Sequence, residues 1–164
     1  MLLIKNGYIK TMAGPDIENG SILIGDDGKI AAVGKDLIVL EGCTIVDAKG
    51  RLVTPGLVEA HCHTGLHNEA VGWEGMDYNE GVDPVTPQMR AIDSIYPLDE
   101  AFEHARKGGV TTCCTGPGSA NVLGGTFVAI KTAGKRVDDM IVKDPIAMKC
   151  AFGENPKRFY GQQA

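Results

Sequence analysis

The first third of the chain alternates short apolar runs with turn residues. Asn6-Gly7 and Asp26-Asp27-Gly28 each lie between runs rich in aliphatic residues, and each predicts a tight hairpin. Several short strands separated by such turns are typical of a small sandwich or an open sheet. The sequence therefore predicts a small β domain of the sandwich type over residues 1–54. We expect its role to be structural, because chemically reactive residue types do not cluster in it.

Residues 55–164 have the pattern of an α/β domain. An apolar run at residues 57–63 predicts a buried strand. Residues 98–107 carry apolar side chains at helical spacing, acidic residues in the first turn and basic residues in the last, so they predict a helix. The β-branched run at residues 110–115 then predicts a second strand, parallel to the first. Two more strands are expected at residues 126–131 and 145–152, followed by a polar loop at residues 153–158.

Composition narrows the classes of partner. The formal net charge is −5, the isoelectric point is near 5.3, and Lys and Arg are scattered, which argues against a nucleic-acid partner. The chain has neither a signal-peptide start nor an apolar run approaching ~20 residues, so we expect no membrane partner and a cytoplasmic location. Its five cysteines lack Cys-x-x-Cys spacing and fit reduced thiols better than a disulfide framework.

The strongest chemical signal is a His-x-His pair at the end of the strand at residues 57–63. Because strand side chains alternate between two faces, His61 and His63 share one face with Glu59, and Cys62 lies on the other. Two imidazoles at this spacing can bind one divalent ion at about 2.0–2.1 Å. A bare His-x-His can also be incidental, but Pro55-Gly56 before so apolar a strand favours a metal site, and zinc is the expected ion.

A long polar segment, residues 65–97, follows the two histidines. A loop of more than about 12–15 residues in a compact domain is usually functional or disordered. It leaves the strand end that carries the histidines, so we expect it to lie over the site, either as a substrate wall or as a mobile lid. His67 and Glu69 are its candidate substrate-binding residues, whereas His104 on the predicted helix is interpreted as a surface histidine.

The segment from Asp47 to His63, with Pro55-Gly56 before the strand and His-Cys-His at its end, resembles a known family. It is similar to the start of the first barrel strand in the metal-dependent amidohydrolase superfamily, above all its imidazolonepropionase, prolidase and dihydroorotase-like members. Glu59 stands where the family usually has Asp. The resemblance implies an α/β fold, namely the first part of a (β/α)8 TIM barrel preceded by a small β domain. Since such a barrel needs about 200–250 residues, we expect it to be incomplete in this chain.

The resemblance also implies an anionic metal ligand. In one large subgroup of the family this ligand is a lysine on the fourth barrel strand, carboxylated by CO2 so that it bridges two metals. Lys149 falls in the expected position, 86 residues beyond His63, and Lys131 is its main rival. A lysine inside a strand is otherwise costly unless it is paired or deprotonated, and pairing with a carboxylate such as Glu154 is the alternative.

The implied activity is metal-dependent hydrolysis of C–N bonds in cyclic amides or peptide-like substrates. The cofactor is one or two divalent ions, with a possible carboxylated lysine. The family's general-base Asp belongs to later strands, so we expect the remaining barrel polypeptide or a partner chain to supply it. We also expect the protein to form a homo-oligomer. Two alternatives stay open: a single-metal deaminase of the same superfamily, and a non-catalytic structural paralogue or fragment.

Overall fold

The computed structural model describes residues 1–38 and 41–162. The chain divides into two compact units, Met1–Pro55 and Gly56–Ala164, and each contains one β-sheet. The protein is thus a mixed α/β chain, as its pattern predicts. Across the described residues, every helix is too short or too polar to cross a membrane.

The first unit is a five-stranded sheet. Its strands are Leu2–Ile9 (β1), Ile17–Ile24 (β2), Ile30–Gly34 (β3), Thr44–Asp47 (β4) and Leu52–Val53 (β5). They follow the order β3-β2-β1-β4, and β5 also pairs with β1. The β2 and β3 strands are antiparallel and joined through Asp26-Asp27-Gly28, so this predicted hairpin is confirmed. The buried apolar side chains of the sheet include Leu3, Ile9 and Ile22.

The hairpin predicted at Asn6-Gly7 is wrong. The β1 strand runs straight through these residues and pairs with β2 on both sides of them. The register shifts by one residue between Ile4 and Gly7, and Asn6 has φ 57°, which together describe a β-bulge. This bulge has a residue at positive φ, and a two-residue hairpin turn also needs one, so Asn-Gly is compatible with either structure.

The second unit is built on a four-stranded sheet flanked by helices. Its strands are Leu57–Cys62 (β6), Val110–Thr115 (β7), Leu123–Lys131 (β8) and Ile141–Cys150 (β9), and its α-helices are Glu100–Lys107 (α1), Val137–Met140 (α2) and Glu154–Tyr160 (α3). The strand order is β6-β7-β8-β9. The β6 and β7 strands are parallel and connected through α1, which confirms the predicted unit.

The β8 strand is antiparallel to both of its neighbours. The sheet therefore departs at β8 from the all-parallel pattern that the barrel resemblance implies. Because β9 is in turn antiparallel to β8, it runs in the same direction as β6 and β7. Their three carboxyl ends consequently lie at one edge of the sheet, and this edge positions the candidate site.

Helix α1 forms where the apolar spacing predicts it. Asp99 is its N-cap and accepts a hydrogen bond from the backbone N–H of Ala101 at 3.0 Å, while the chain leaves the helix at Gly108. Phe102 is the fully buried residue of the helix. It belongs to the main core cluster, together with Leu66, Ala91, Ile95, Val128, Ile130 and Met140.

The polar loop predicted at residues 153–158 is wrong. Residues 154–158 lie in α3, for which Gly153 is the N-cap and in which Pro156 and Tyr160 are buried. Pro156 occupies the first turn, in which a missing N–H costs little, so it is compatible with the helix. The Tyr160 hydroxyl donates to the carbonyl oxygen of Glu80 at 2.6 Å and ties α3 to the long segment after β6.

Candidate metal centre

His61 and His63 lie at the carboxyl end of β6, where that strand gives way to the long loop. Their ring centroids are 5.8 Å apart and the rings are nearly perpendicular. Cys62 faces away from them, since its Sγ lies 3.7 Å from the carbonyl oxygen of Cys114. The strand alternation thus brings the two imidazoles to one side of the sheet, as expected from their spacing.

A backbone contact fixes the tautomer of His63. Its Nδ1 lies 2.7 Å from the carbonyl oxygen of Gly116, the residue that follows β7. A carbonyl can only accept, so Nδ1 carries the proton in this contact. In the neutral ring, the lone pair is then on Nε2, which is the atom available to a metal ion.

Glu59 does not reach either ring through its carboxylate in this structure. Its Oε1 accepts a hydrogen bond from the backbone N–H of His61 at 2.9 Å, and the side chain is otherwise exposed. The carboxylate therefore shapes the backbone just before the histidines.

Lys149 is buried, with 8% of its surface exposed, and lies one residue before the carboxyl end of β9. Its Nζ lies 6.0 Å from the centroid of the Phe127 ring, and that ring is in edge contact with His61 at 5.2 Å between centroids. Within the described part of the chain, Lys149 forms no ion pair; Glu154 contacts Lys157 instead, at 3.2 Å. Burial lowers the pKa of the Lys149 ammonium below its ordinary value.

The rival lysine lies at the other end of the sheet. Lys131 is the last residue of β8, pairs in register with Thr112, and is exposed. It is four positions along β8 from Phe127, which is about 13 Å in an extended strand. Its Nζ donates to the hydroxyl of Thr112 at 3.2 Å. Of the two candidate lysines, Lys149 is the one that shares an edge and an aromatic neighbour with the histidines.

An aromatic row continues from His63 into the loop. The Tyr78 ring stacks on His63 with centroids 5.2 Å apart, and the His67 ring lies 6.0 Å from Tyr78 on a tilted plane. The two predicted substrate-binding residues are separated by the structure. His67 belongs to this row, whereas the exposed Glu69 carboxylate lies 3.3 Å from Nδ1 of His104 on α1.

The long segment after β6 is tied to the sheet at several points. Gly118 donates from its backbone N–H to the carbonyl oxygen of Tyr78 at 2.6 Å, and Thr86 donates likewise to Leu123 at 2.8 Å. Further along, Thr126 on β8 donates to the carbonyl oxygen of Met89 at 2.9 Å. These contacts describe a wall beside the site, and they disfavour the alternative of a lid that moves as a whole.

The described residues fit a divalent ion in part. They provide two neighbouring imidazoles and a buried lysine, but within residues 1–38 and 41–162 three or more His, Cys, Asp or Glu side chains do not converge on one point. Two imidazoles alone do not complete a metal site, and the buried Lys149 lies near the same end of the sheet. The sequence analysis did not identify Phe127, Gly116 and Tyr78 as neighbours of the histidines. The one indication of that role is their position at or near the same edge of the sheet.

Comparison with known proteins finds related sequences and a solved structure of the same fold. A solved amidohydrolase from Thermotoga maritima MSB8 superposes on 99% of this chain with a TM-score of 0.91 and 42% sequence identity, and the match covers 42% of that chain. The amidohydrolase tasK from Hapsidospora irregularis is 39% identical over 137 residues, which are 76% of this chain and 14% of tasK. A 5'-deoxyadenosine deaminase from Methanosarcina acetivorans is 41% identical over 68 residues, covering 40% of this chain and 15% of the deaminase.

No family model matches the chain. The relatives nevertheless confirm the prediction made from the His-x-His segment: the chain belongs to the amidohydrolase superfamily. It spans about two fifths of the length of the solved structure and about one seventh of the curated relatives it matches.

Proposed function

We propose that the protein takes part in metal-dependent hydrolysis of C–N bonds in cyclic amides or peptide-like small molecules. In this proposal His61, His63 and Lys149 hold one or two divalent ions, with zinc as the expected metal. His67 and the loop wall contact the substrate, and Glu69 remains a second candidate for that role. The general-base Asp comes from a part of the catalytic unit outside residues 1–164.

The observation that carries the proposal is the environment of Lys149. A lysine with 8% exposure and no counter-ion in the described chain lies at the strand edge that carries two imidazoles. Two neutral imidazoles leave the charge of a divalent ion uncompensated, whereas a carboxylated lysine adds an anionic oxygen ligand. Burial without a counter-charge favours the neutral amine, which is the form that reacts with CO2.

The carboxylation step is chemically balanced. The Nζ lone pair attacks the carbon of CO2, an N–C bond forms as one C–O π bond opens, and the nitrogen loses one proton to solvent. The product is a carbamate anion on Lys149. When bound, a divalent ion supplies Lewis-acid activation of water and of the substrate carbonyl. His63 contributes a ring whose tautomer is already set by Gly116.

We further propose that the parallel β6-α1-β7 unit begins a (β/α)8 barrel, from whose all-parallel pattern β8 departs, and that residues 1–54 form a separate small β domain. The parallel β6-α1-β7 unit supports the barrel, because its active face would be the carboxyl edge on which the histidines lie. In such an assembly the remaining barrel strands come from further polypeptide or a partner chain, and the unit forms a homo-oligomer.

The activity is tested on the full-length gene product loaded with zinc. It is incubated with five- and six-membered cyclic amides, prolyl dipeptides and aminopurine nucleosides. Ring opening or peptide cleavage without ammonia release supports the proposal. Ammonia release from the nucleosides would instead support a deaminase.

A deaminase is the second candidate because a deaminase is among the relatives. It would use a single metal and no carbamate, so it predicts that Lys149 stays unmodified. The limited set of converging ligands in the described residues also keeps a non-catalytic paralogue open. Zinc absent from the purified full-length protein, and not taken up on addition, would favour that third candidate.

A further inference from the structure

We infer that Phe127 is a positioning residue for the candidate metal centre, holding the side chains at all three proposed ligand positions. The inference rests on the proposed function, since it concerns how that site is kept in shape. Phe127 lies on β8, is 6% exposed, and carries neither a charge nor a hydrogen-bonding group. Its role must therefore follow from contact geometry.

Two of the three positions lie beside the ring itself. The His61 ring meets it edge-on, at 5.2 Å between centroids and an interplanar angle of 76°. Lys149 Nζ lies 6.0 Å from its centroid. An edge-to-face pair is a favoured aromatic geometry, so the Phe127 ring restricts the orientations open to the His61 ring.

The third position is reached through Gly116. The Phe127 ring packs so closely on Gly116 that a Cβ there would lie 2.2 Å from the ring. The carbonyl oxygen of the same Gly116 fixes Nδ1 of His63 at 2.7 Å. A displaced Phe127 ring would therefore let this backbone segment move, and with it the group that orients His63.

The strand register explains why a large side chain is needed here. Phe127 is paired with Ala147, and Lys149 is paired with Gly125, which is two residues before Phe127 on the same face. The partners Ala147 and Gly125 are both small. The aromatic ring thus lies between His61 and Lys149, and a flexible or shorter side chain would leave these two side chains more freedom to turn.

The test measures zinc affinity by competition with a chromophoric chelator in the full-length protein, together with the melting temperature in excess chelator. Phe127→Leu should weaken zinc binding about ten- to a hundredfold, as is usual when a group that orients metal ligands is lost. Gly116→Ala should do the same by pushing the ring away. If both act through the ring, the double variant should lose less than the product of the two single effects.

Val128→Ala is the matched control. Val128 is the adjacent residue on the opposite face of β8 and is fully buried in the core cluster. The Val128→Ala substitution should lower the melting temperature while leaving zinc affinity within about twofold of wild type. Equal zinc affinity in Phe127→Leu and wild type would overturn the inference, and Gly116→Ala still decides it if the leucine variant fails to fold.

A second readout needs no metal. In the metal-free protein, carbon NMR relaxation should show that the His61 ring moves more in Phe127→Leu than in wild type. The same measurement should show no increase in Val128→Ala. Unchanged ring motion would overturn the inference. If wild type binds no zinc, the proposed function fails, and this measurement still decides whether Phe127 positions the histidine.

Discussion

His63 and Gly116 are 53 residues apart in sequence, yet Nδ1 of the first donates to the carbonyl oxygen of the second at 2.7 Å. The contact joins the end of β6 to the end of β7, so the ring is oriented by the backbone of a neighbouring strand. Its consequence is a histidine whose Nε2 is free before any ligand arrives. A preset ring loses less rotational freedom on binding than a mobile one.

The first prediction concerns metal content. Protein purified without chelator should contain a divalent metal, with zinc expected, and the double variant His61→Ala, His63→Ala should lack it because both neutral donors are gone. Elemental analysis measures this directly. The exposed His104 contacts Glu69, so His104→Ala is the matched control and should keep its metal. Equal metal content in the double variant and wild type would contradict the site.

The second prediction concerns Lys149. Its substitution by Ala should remove most of the metal and the activity, because the only proposed anionic ligand is lost. Acetate or formate should restore part of both by occupying the space of the carbamate. Carbon-13 CO2 should give wild type a carbamate resonance that the variant lacks.

Lys131→Ala provides the comparison for that experiment. Lys131 is exposed and bonded to Thr112 at the far end of β8, so its loss should leave metal and activity unchanged. An unmodified Lys149 in metal-loaded, active protein would exclude the carbamate. It would then favour the single-metal alternative.

The third prediction concerns the start of α1. Asp99 is 3% exposed, and its Oδ1 accepts from the backbone N–H of Ala101 at 3.0 Å and from that of Glu69 at 3.4 Å. Asp99→Ala should lower the free energy of unfolding by about 0.5–2 kcal/mol, the usual cost of a lost N-cap. Urea denaturation measures the loss. Asp99→Asn keeps the cap oxygen and should be much closer to wild type; an Ala variant as stable as wild type would argue against the cap.

The fourth prediction concerns the edge of the second sheet. Leu57 and Val58 on the edge strand β6 are 57% and 63% exposed, so the burial predicted for this strand is not found within residues 1–164. An apolar edge strand pairs readily with other chains, so residues 1–164 expressed alone should associate at micromolar concentration. Light scattering coupled to size exclusion measures this, and Val58→Lys should reduce it. A monomer that melts cooperatively would contradict the prediction.

Local chemistry made part of this fold predictable. Helix α1 follows from apolar spacing, an acidic first turn and the Gly108-Gly109 stop, all within about a dozen residues. Asn6-Gly7 was misassigned because a bulge and a hairpin need the same positive-φ residue, and only pairing with β2 distinguishes them. The reversed direction of β8 was missed for a similar reason, since strand direction depends on partners and leaves little trace in composition.

The candidate site was predictable where it is local in sequence. His61 and His63 are two residues apart, so strand alternation alone brings them together. Phe127 lies 66 residues from His61 in sequence, and Tyr78 lies 15 residues from His63. The sequence around an aromatic residue in a strand or loop does not indicate which side chain it will contact. Lys149 is a candidate because the family resemblance implies a lysine on the fourth barrel strand, and because a lysine inside a strand is costly unless it is paired or deprotonated.

The outer turn of the long loop offers an optical probe of the site. His67 and Met76 form a short bridge, and between them lies Trp73, the single tryptophan of the chain, with 76% of its surface exposed. Indole emission is sensitive to local polarity and to nearby quenchers. A molecule that settles beside His67 should therefore change the fluorescence of the unlabelled protein, so that its arrival can be followed in real time without any chemical tag.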